Sequence, residues 1–316
     1  MHDISNLFRA GKGLTGIHID DTSLNAVHLL NSTEPGSNRP RITALKKIPY
    51  QDTAEIHLGL NTLRSDLKLN KTPCTTLLLE SAYNLLLAET PNVPDSELAT
   101  ALRWQVKDLL EQPVDETTFE SFPAPQTADK SARPSTYIVA AKNTAIQHHV
   151  NLFSNAKINL KFIDIQEMAL RNITLLAQQE NKVAALLWLR KNDGLLLLVK
   201  DNEIYLSRAM TIGLDALESG IEQDSAIDSL ALEIQRSLDY YVSRYHAGPV
   251  RNIILTPGVD KVCPKLNQSI ADSLNLKVET LNLDDFVDHP DDMPDNWQAD
   301  FLITIGAALR IKDLAA

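Results

Sequence analysis

The chain has 316 residues, 44% apolar and only 5% aromatic, with a formal net charge of −11. That length and mixture supply two cores of ordinary domain size and exclude a disordered polymer, while the acidic balance excludes sequence-independent binding to nucleic acid, whose affinity comes from Lys and Arg neutralising phosphates. Cys74 and Cys263 stand alone, so neither a disulfide framework nor a thiolate metal site is expected, and a reducing compartment fits.

The N-terminal segment Met1 to Gly13 has no apolar stretch of the secretory kind, which predicts a cytoplasmic location. Ile4, Leu7 and Phe8 share one helical face there, as in a short helix docked on its own domain. Apolar patterning then predicts strands near 14–20, 24–31 and 41–48, with the polar turn Asp20-Asp21-Thr22-Ser23 between the first two. A helix near 53–69 follows, with Ile56, Leu60, Leu63 and Leu67 at helical spacing, and then a strand at 75–79.

From about 83 to 165 the pattern changes. It predicts a helix over 95–111, strands near 118–122 and 136–141, a polar loop over 126–135, a helix over 144–156 and a strand over 160–165. After a connecting helix near 167–178, strands at 183–189, 195–199 and 203–209 follow, the first two joined by Arg190-Lys191-Asn192-Asp193-Gly194, whose Asp-Gly is a strong hairpin signal. The run Leu195 to Val199, like every other apolar run, falls far short of the roughly 20 residues that a spanning helix needs.

A long helix over 226–245 carries Ile227, Leu230, Ile234, Leu238, Tyr241, Val242 and Tyr245 on one stripe. The strand Ile253-Ile254-Leu255, the turn Thr256-Pro257-Gly258, a helix to about Leu274 and a strand over 277–281 complete the pattern. Both halves thus read as three antiparallel strands, a crossover helix and a parallel strand, which predicts a duplicated α/β unit. The expected division is a first domain over 1–180, carrying an inserted α+β subdomain over about 83–165, and a second domain over 181–316.

Five segments carry a resemblance: Ala101-Leu102-Arg103-Trp104-Gln105-Val106-Lys107, Leu109-Leu110-Glu111-Gln112-Pro113-Val114-Asp115, Phe162-Ile163-Asp164-Ile165-Gln166-Glu167-Met168-Ala169-Leu170, Glu233-Ile234-Gln235-Arg236-Ser237-Leu238-Asp239-Tyr240-Tyr241, and Ile303-Thr304-Ile305-Gly306-Ala307-Ala308-Leu309-Arg310. Together they resemble the PilM family of type IV pilus assembly scaffolds, on the side of that family serving MSHA pilus biogenesis. The resemblance implies a two-domain actin-like fold of the duplicated ribonuclease H-like kind. It also implies an ATP cleft, and a partner in the N-terminal cytoplasmic tail of a PilN-like inner-membrane protein, which would hold the chain at the membrane without insertion. Carried over by position, it places Thr22, Ser23, Glu233, Arg236 and Gly258 as the cofactor-binding remnant and puts Arg103 and Trp104 at or near the partner groove. For Trp104 a core position is the favoured alternative, while Arg103 suits an interface and an ordinary surface equally.

The departures matter for ATP. A phosphate turn offers backbone N–H groups and favours Gly and small hydroxyl residues, but this turn holds Asp20 and Asp21. A carboxylate about 4 Å from a phosphate oxygen is repelled by up to roughly 4 kcal/mol at an effective dielectric near 20. The second hairpin carries Trp188, and only Gly258 remains of the glycine pair expected at the adenosine. A degenerate ATP site on a non-catalytic scaffold is therefore expected. The alternative is an ATP-Mg switch or slow ATPase in which Asp20 helps to hold the metal. No catalytic residue is assigned, and no metal site: His148 and His149 are adjacent on a helix, point apart and read as surface residues, and the seven Asp residues of 284–300 lack the ligand spacing of a calcium loop.

Overall fold

The computed structural model describes residues 13–30, 39–129, 131–178, 182–218, 220–246 and 248–310. The face formed by Ile4, Leu7 and Phe8 lies outside them.

In chain order the elements are β1 (Leu14–Ile19), β2 (Ser23–Leu30), β3 (Arg41–Pro49), α1 (Thr53–Leu67), β4 (Cys74–Leu77), β5 (Tyr83–Glu89), α2 (Asp95–Val106), β6 (Thr117–Pro123), β7 (Ser135–Lys142), α3 (Asn143–Asn155), β8 (Leu160–Asp164) and α4 (Gln166–Ala177). They continue with β9 (Ala184–Leu189), β10 (Gly194–Lys200), β11 (Glu203–Met210), α5 (Leu214–Leu217), α6 (Gln223–Tyr245), β12 (Asn252–Leu255), α7 (Val259–Val262), α8 (Leu266–Leu274), β13 (Lys277–Thr280) and α9 (Trp297–Ala308).

Two five-stranded sheets share one topology. The first has the order β3-β2-β1-β4-β8 and the second β11-β10-β9-β12-β13. In each, the first three strands pair antiparallel and the last two add in parallel. The duplication read from the sequence is present at the level of strand order. A third sheet, β5-β7-β6, is inserted in the chain between β4 and β8 of the first.

Contacts divide the chain into two units: residues up to Tyr83 with Lys142–Leu176 and those from Asn282 on, and Asn84–Ala141 with Ala177–Leu281. In the first unit, Ile17, Ile19, Leu24 and Ala26 bury one sheet face against Ile56, Leu60 and Leu63 of α1 and Phe153 of α3. Asp52 starts α1 by accepting the Ala54 N–H at 2.9 Å, which satisfies one of the orphan donors of the first turn. Its other face receives α9: a Cβ on Gly16 would strike the Thr304 carbonyl oxygen, so β1 and α9 approach as closely as glycine allows. In the second unit, Ala185, Leu187, Leu189, Leu196 and Leu198 pack on Ile227, Leu230, Ile234, Leu238 and Tyr241 of α6, the stripe read from the sequence.

Three features depart from the expected layout. Strand β8 pairs in parallel with β4, and Phe153 of α3 lies in the first core, so these two elements complete the first sheet and its cover. Helix α9, from the C-terminal half of the sequence, also packs on that sheet. Strand β5 has no counterpart in the sequence reading, because Leu85-Leu86-Leu87 shows no alternation and Leu favours helix. Its strand state is fixed by pairing in the β5-β7-β6 sheet, with Leu86 and Ala88 packed toward α2.

Candidate functional site

The turn between β1 and β2 is gripped by one tyrosine. The Asp20 N–H donates to the Ser23 carbonyl at 3.0 Å, the Tyr50 N–H to the Thr22 carbonyl at 2.9 Å, and the Tyr50 hydroxyl to the Asp20 carbonyl. Burial lifts the Tyr50 phenol above its ordinary value, and the Asp20 and Asp21 carboxylates push it further in the same direction, so the hydroxyl remains a donor. Thr22 is exposed at the tip. Ser23 is buried, and its hydroxyl accepts from the Asn25 amide at 3.2 Å. Of the two hydroxyls placed at a phosphate by resemblance, only that of Thr22 faces solvent.

Behind the turn, His18 is buried, opposite Asn25 in the ladder, and its Nδ1 has no partner among the described residues. Burial lowers its basicity; Asp20 and Asp21 pull weakly the other way. His149 on α3 is buried as well, which corrects the surface reading of that histidine. Burial, aided by the neighbouring His148 and His18, brings it down to about 4.

In the second unit Glu233 is committed. Its carboxylate accepts the Thr211 N–H at 2.9 Å and the Thr211 hydroxyl, tying α6 to the end of β11. Arg236, almost one turn later, is exposed. Gly258 has φ 92°, a left-handed conformation that requires glycine, and leads into α7, whose Val259 joins the core beneath α6. Thr22 and Ser23 therefore belong to one unit, and Glu233, Arg236 and Gly258 to the other.

The β9–β10 turn is closed from within. The Arg190 guanidinium pairs with the Asp193 carboxylate and lies 5.3 Å from the centre of the Trp188 ring. The carbonyls of Arg190 and Lys191 accept the N–H groups of Leu214 and Asp215 at 2.8 and 2.9 Å, so the first donors of α5 are spent on the turn. Trp188 sits opposite Leu195 on the sheet face turned away from α6.

Arg103 and Trp104 part company on α2. Leu98, Leu102 and Val106 bury the inner face of that helix against Ile138, Leu86 and Phe119. Arg103 leans inward, its guanidinium 5.1 Å from the centre of the Phe119 ring. Trp104 points outward at 61% exposure, with the Lys107 ammonium 5.5 Å over its ring. The core position that fitted Trp104 on sequence is filled by its neighbours Leu102 and Val106.

Two of the quoted segments meet in the first unit. Arg310 donates to Asp164 at 2.8 Å and covers the Phe162 ring at 4.2 Å. Burial lifts the Asp164 carboxyl above its ordinary value, while the Arg310 guanidinium pulls it down. Asn172 donates to the Gly306 carbonyl at 2.9 Å, and Tyr83 to Glu167 at 2.6 Å. These residues hold β8, α4 and α9 together, a role that sequence alone does not separate from a site.

Among the described residues no His, Cys, Asp and Glu group is arranged to hold a metal, and no helix is long and apolar enough to cross a membrane. The Asp-rich segment is partly paired: Asp288 with Arg39 at 3.1 Å, Asp300 with Lys47 at 2.9 Å, and Asp284 with His289 at 2.9 Å.

No protein-family model matches the chain. No curated protein matches it in sequence either. Among solved structures, it is similar to a chain of a PilM–PilN type IV pilus biogenesis complex, with 18% identity, a TM-score of 0.72 and coverage of 94% of this chain and 98% of that one. It is also similar to the cytoplasmic domain of EpsL, an inner-membrane component of the type II secretion system of Vibrio cholerae, with 12% identity, a TM-score of 0.51 and 94% coverage of each. A Bacteroides thetaiotaomicron protein described as having an actin-like ATPase fold aligns with 10% identity and a TM-score of 0.46 over 96% of this chain and 99% of that one. With its duplicated sheet order, the chain has an actin-like fold.

Proposed function

We propose that this chain is a non-catalytic scaffold of an MSHA-type type IV pilus machine. It binds the N-terminal cytoplasmic tail of a PilN-like inner-membrane protein and is thereby held at the cytoplasmic face of that membrane. The observation that carries the reading is the likeness, over 94% of the chain, to a chain of the PilM–PilN complex. The described residues fit a nucleotide poorly. Asp20 and Asp21 put two carboxylates in the turn that the resemblance assigns to phosphate, Glu233 is engaged by Thr211, and the α5 donors are spent on the β9–β10 turn. ATP is accordingly not a working cofactor in this reading.

Calorimetric titration with the N-terminal tail peptide of the PilN-type protein from the same organism tests the first half. Saturable binding is expected; absence of binding refutes the scaffold reading. Titration with ATP and Mg²⁺, beside an Asp20→Gly variant, tests the second half. No saturation at millimolar ATP is expected for the native chain. Saturation would favour a nucleotide-driven switch, for which the retained left-handed Gly258 and the exposed Thr22 speak.

A further inference from the structure

We propose that the edge of the first sheet at which β4 and β8 begin is a lipid-binding surface, where Lys68, Lys71, Lys157 and Lys161 meet the anionic headgroups of a bilayer. This surface is independent of the partner tail in the scaffold reading.

The chain is acidic, with 41 carboxylates in 316 residues, yet none falls in 67–79 or in 142–163. The fold brings those two stretches together. The Asn159 N–H donates to the Leu69 carbonyl at 3.0 Å, and the Cys74 N–H to the Asn159 carbonyl at 2.9 Å. The four lysines stand on the joined segments, all exposed, and none has an ion-pair partner among the described residues. Asp66, two residues before Lys68, is taken by Lys46 at 2.6 Å.

The backbone presents these cations in three different ways. Lys68, the C-cap of α1, has φ 54°, and Lys157, just past α3, has φ 57°. Helices usually place glycine in that left-handed conformation, and here both positions keep a lysine. Each also offsets the negative end of its helix dipole, which leaves Lys71 and Lys161 unexplained. Lys161 is the extra residue where Cys74 faces Leu160 and Thr75 faces Phe162, so the bulge turns it out of the ladder. Lys71 stands on the loop between α1 and β4.

The opposite charge on this sheet is kept apart. The Asp-rich segment joins it at β3, where Asp288 bridges Arg41. That is three strand spacings from β4, about 14 Å, beyond the roughly 8 Å over which exposed charges act at physiological salt. A bilayer fits this edge better than a nucleic acid does. Segments 68–73 and 154–161 hold no aromatic side chain on which a base could stack, and the net charge of −11 repels a polyanion that must follow the surface. A flat membrane meets one edge alone. Each lysine near an anionic leaflet strengthens binding by about fivefold, so four acting independently supply about 600-fold.

The test is cosedimentation of the full chain with vesicles of phosphatidylcholine alone or with equimolar phosphatidylglycerol, free of other pilus proteins. Binding is expected only with phosphatidylglycerol, and it should weaken as salt is raised. Lys71→Gln with Lys161→Gln, which leaves both helix ends intact, should weaken it by about 25-fold. Lys71→Arg with Lys161→Arg should bind like the native chain. Lys265→Gln with Lys277→Gln on the second unit makes the same change in net charge and should have no effect. If the Lys71 and Lys161 glutamine pair lowers the melting temperature, Lys71→Gln alone, expected to weaken binding about fivefold, replaces it.

Equal binding to both vesicle types, no binding to phosphatidylglycerol, or undiminished binding by the glutamine variant overturns the assignment. So does a single-stranded oligonucleotide bound as tightly and with the same lysine dependence. Titration with the tail peptide can fail while vesicle binding stands, and the reverse, so the two readings fall separately.

Discussion

Gly306→Ala probes the packing that joins the C-terminal helix to the first sheet's unit. A Cβ there would press on the Ala169 carbonyl oxygen and stand 2.7 Å from its carbon and 3.1 Å from its Cα. All three are backbone atoms of α4, which cannot rotate away. Ordinary contact begins near 3.4 Å, so α4 and α9 must part by at least about 0.7 Å. Overpacking of this kind costs about 1–3 kcal/mol. The shift also stretches the buried 2.9 Å bond from Asn172 to the Gly306 carbonyl, whose loss costs about 1–3 kcal/mol. Alanine returns about 1 kcal/mol through its helix propensity. The balance is a loss of about 3 kcal/mol.

Urea unfolding of a Trp104→Phe, Trp188→Phe background reads this through Trp297, the buried first residue of α9. With a slope of about 2–3 kcal/mol/M, the midpoint should fall by about 1 M. An Asn172→Ala variant should lose less alone, and the double variant should lose less than the sum because the two changes break one bond. A midpoint within about 0.2 M of the background, or above it, would refute the close-packing argument.

Arg310→Ala leaves the Asp164 carboxylate buried without its partner, and the first unit should lose about 3–5 kcal/mol. Because burial raises the Asp164 carboxyl in the folded state, its protonation favours folding, so the loss relative to native should be smaller at pH 4.5 than at pH 7.5; equal losses in parallel urea series would contradict this. His149 works in the opposite direction. Its basicity is depressed from 6.5 to about 4 on folding, so the unfolded chain takes up the proton first as pH falls. Native stability should drop by about 3 kcal/mol across that window. His149→Gln should flatten the slope, and an unchanged slope would mean that the imidazole titrates normally. Glu233→Ala removes both bonds to Thr211 and should cost about 1–2 kcal/mol, read through Trp188 fluorescence in the second unit. No loss of stability would return Glu233 to the pool of free ligand groups.

Local pattern made much of this chain legible. The stripe of α6 and the alternation of β1 and β2 are written residue by residue, because an amphipathic element must repeat its apolar side chains with its own period. The repeated strand order followed from the two runs of three strands, helix and strand. Strand β5 was not legible, since Leu85-Leu86-Leu87 suits a helix and a strand equally and only the neighbouring strand decided. At the candidate site, the sequence put Thr22 and Ser23 together, and the structure separated them by burial, because alternate residues of a hairpin face opposite sides while the tip stays in solvent.

What the sequence determined by itself was most of the elements, β5 excepted, the duplicated α/β plan, the acidic character and the carboxylates in the first turn. Tertiary structure alone decided that α3, β8 and α9 complete the first sheet's layers, that Asp164 and Arg310 form a pair 146 residues apart, that Glu233 serves Thr211, and that Trp104 faces outward. The physical reason is range. Periodicity and turn chemistry act between residues a few positions apart, whereas the partner of a carboxylate, or the side of a helix that remains uncovered, depends on which distant segments reach it.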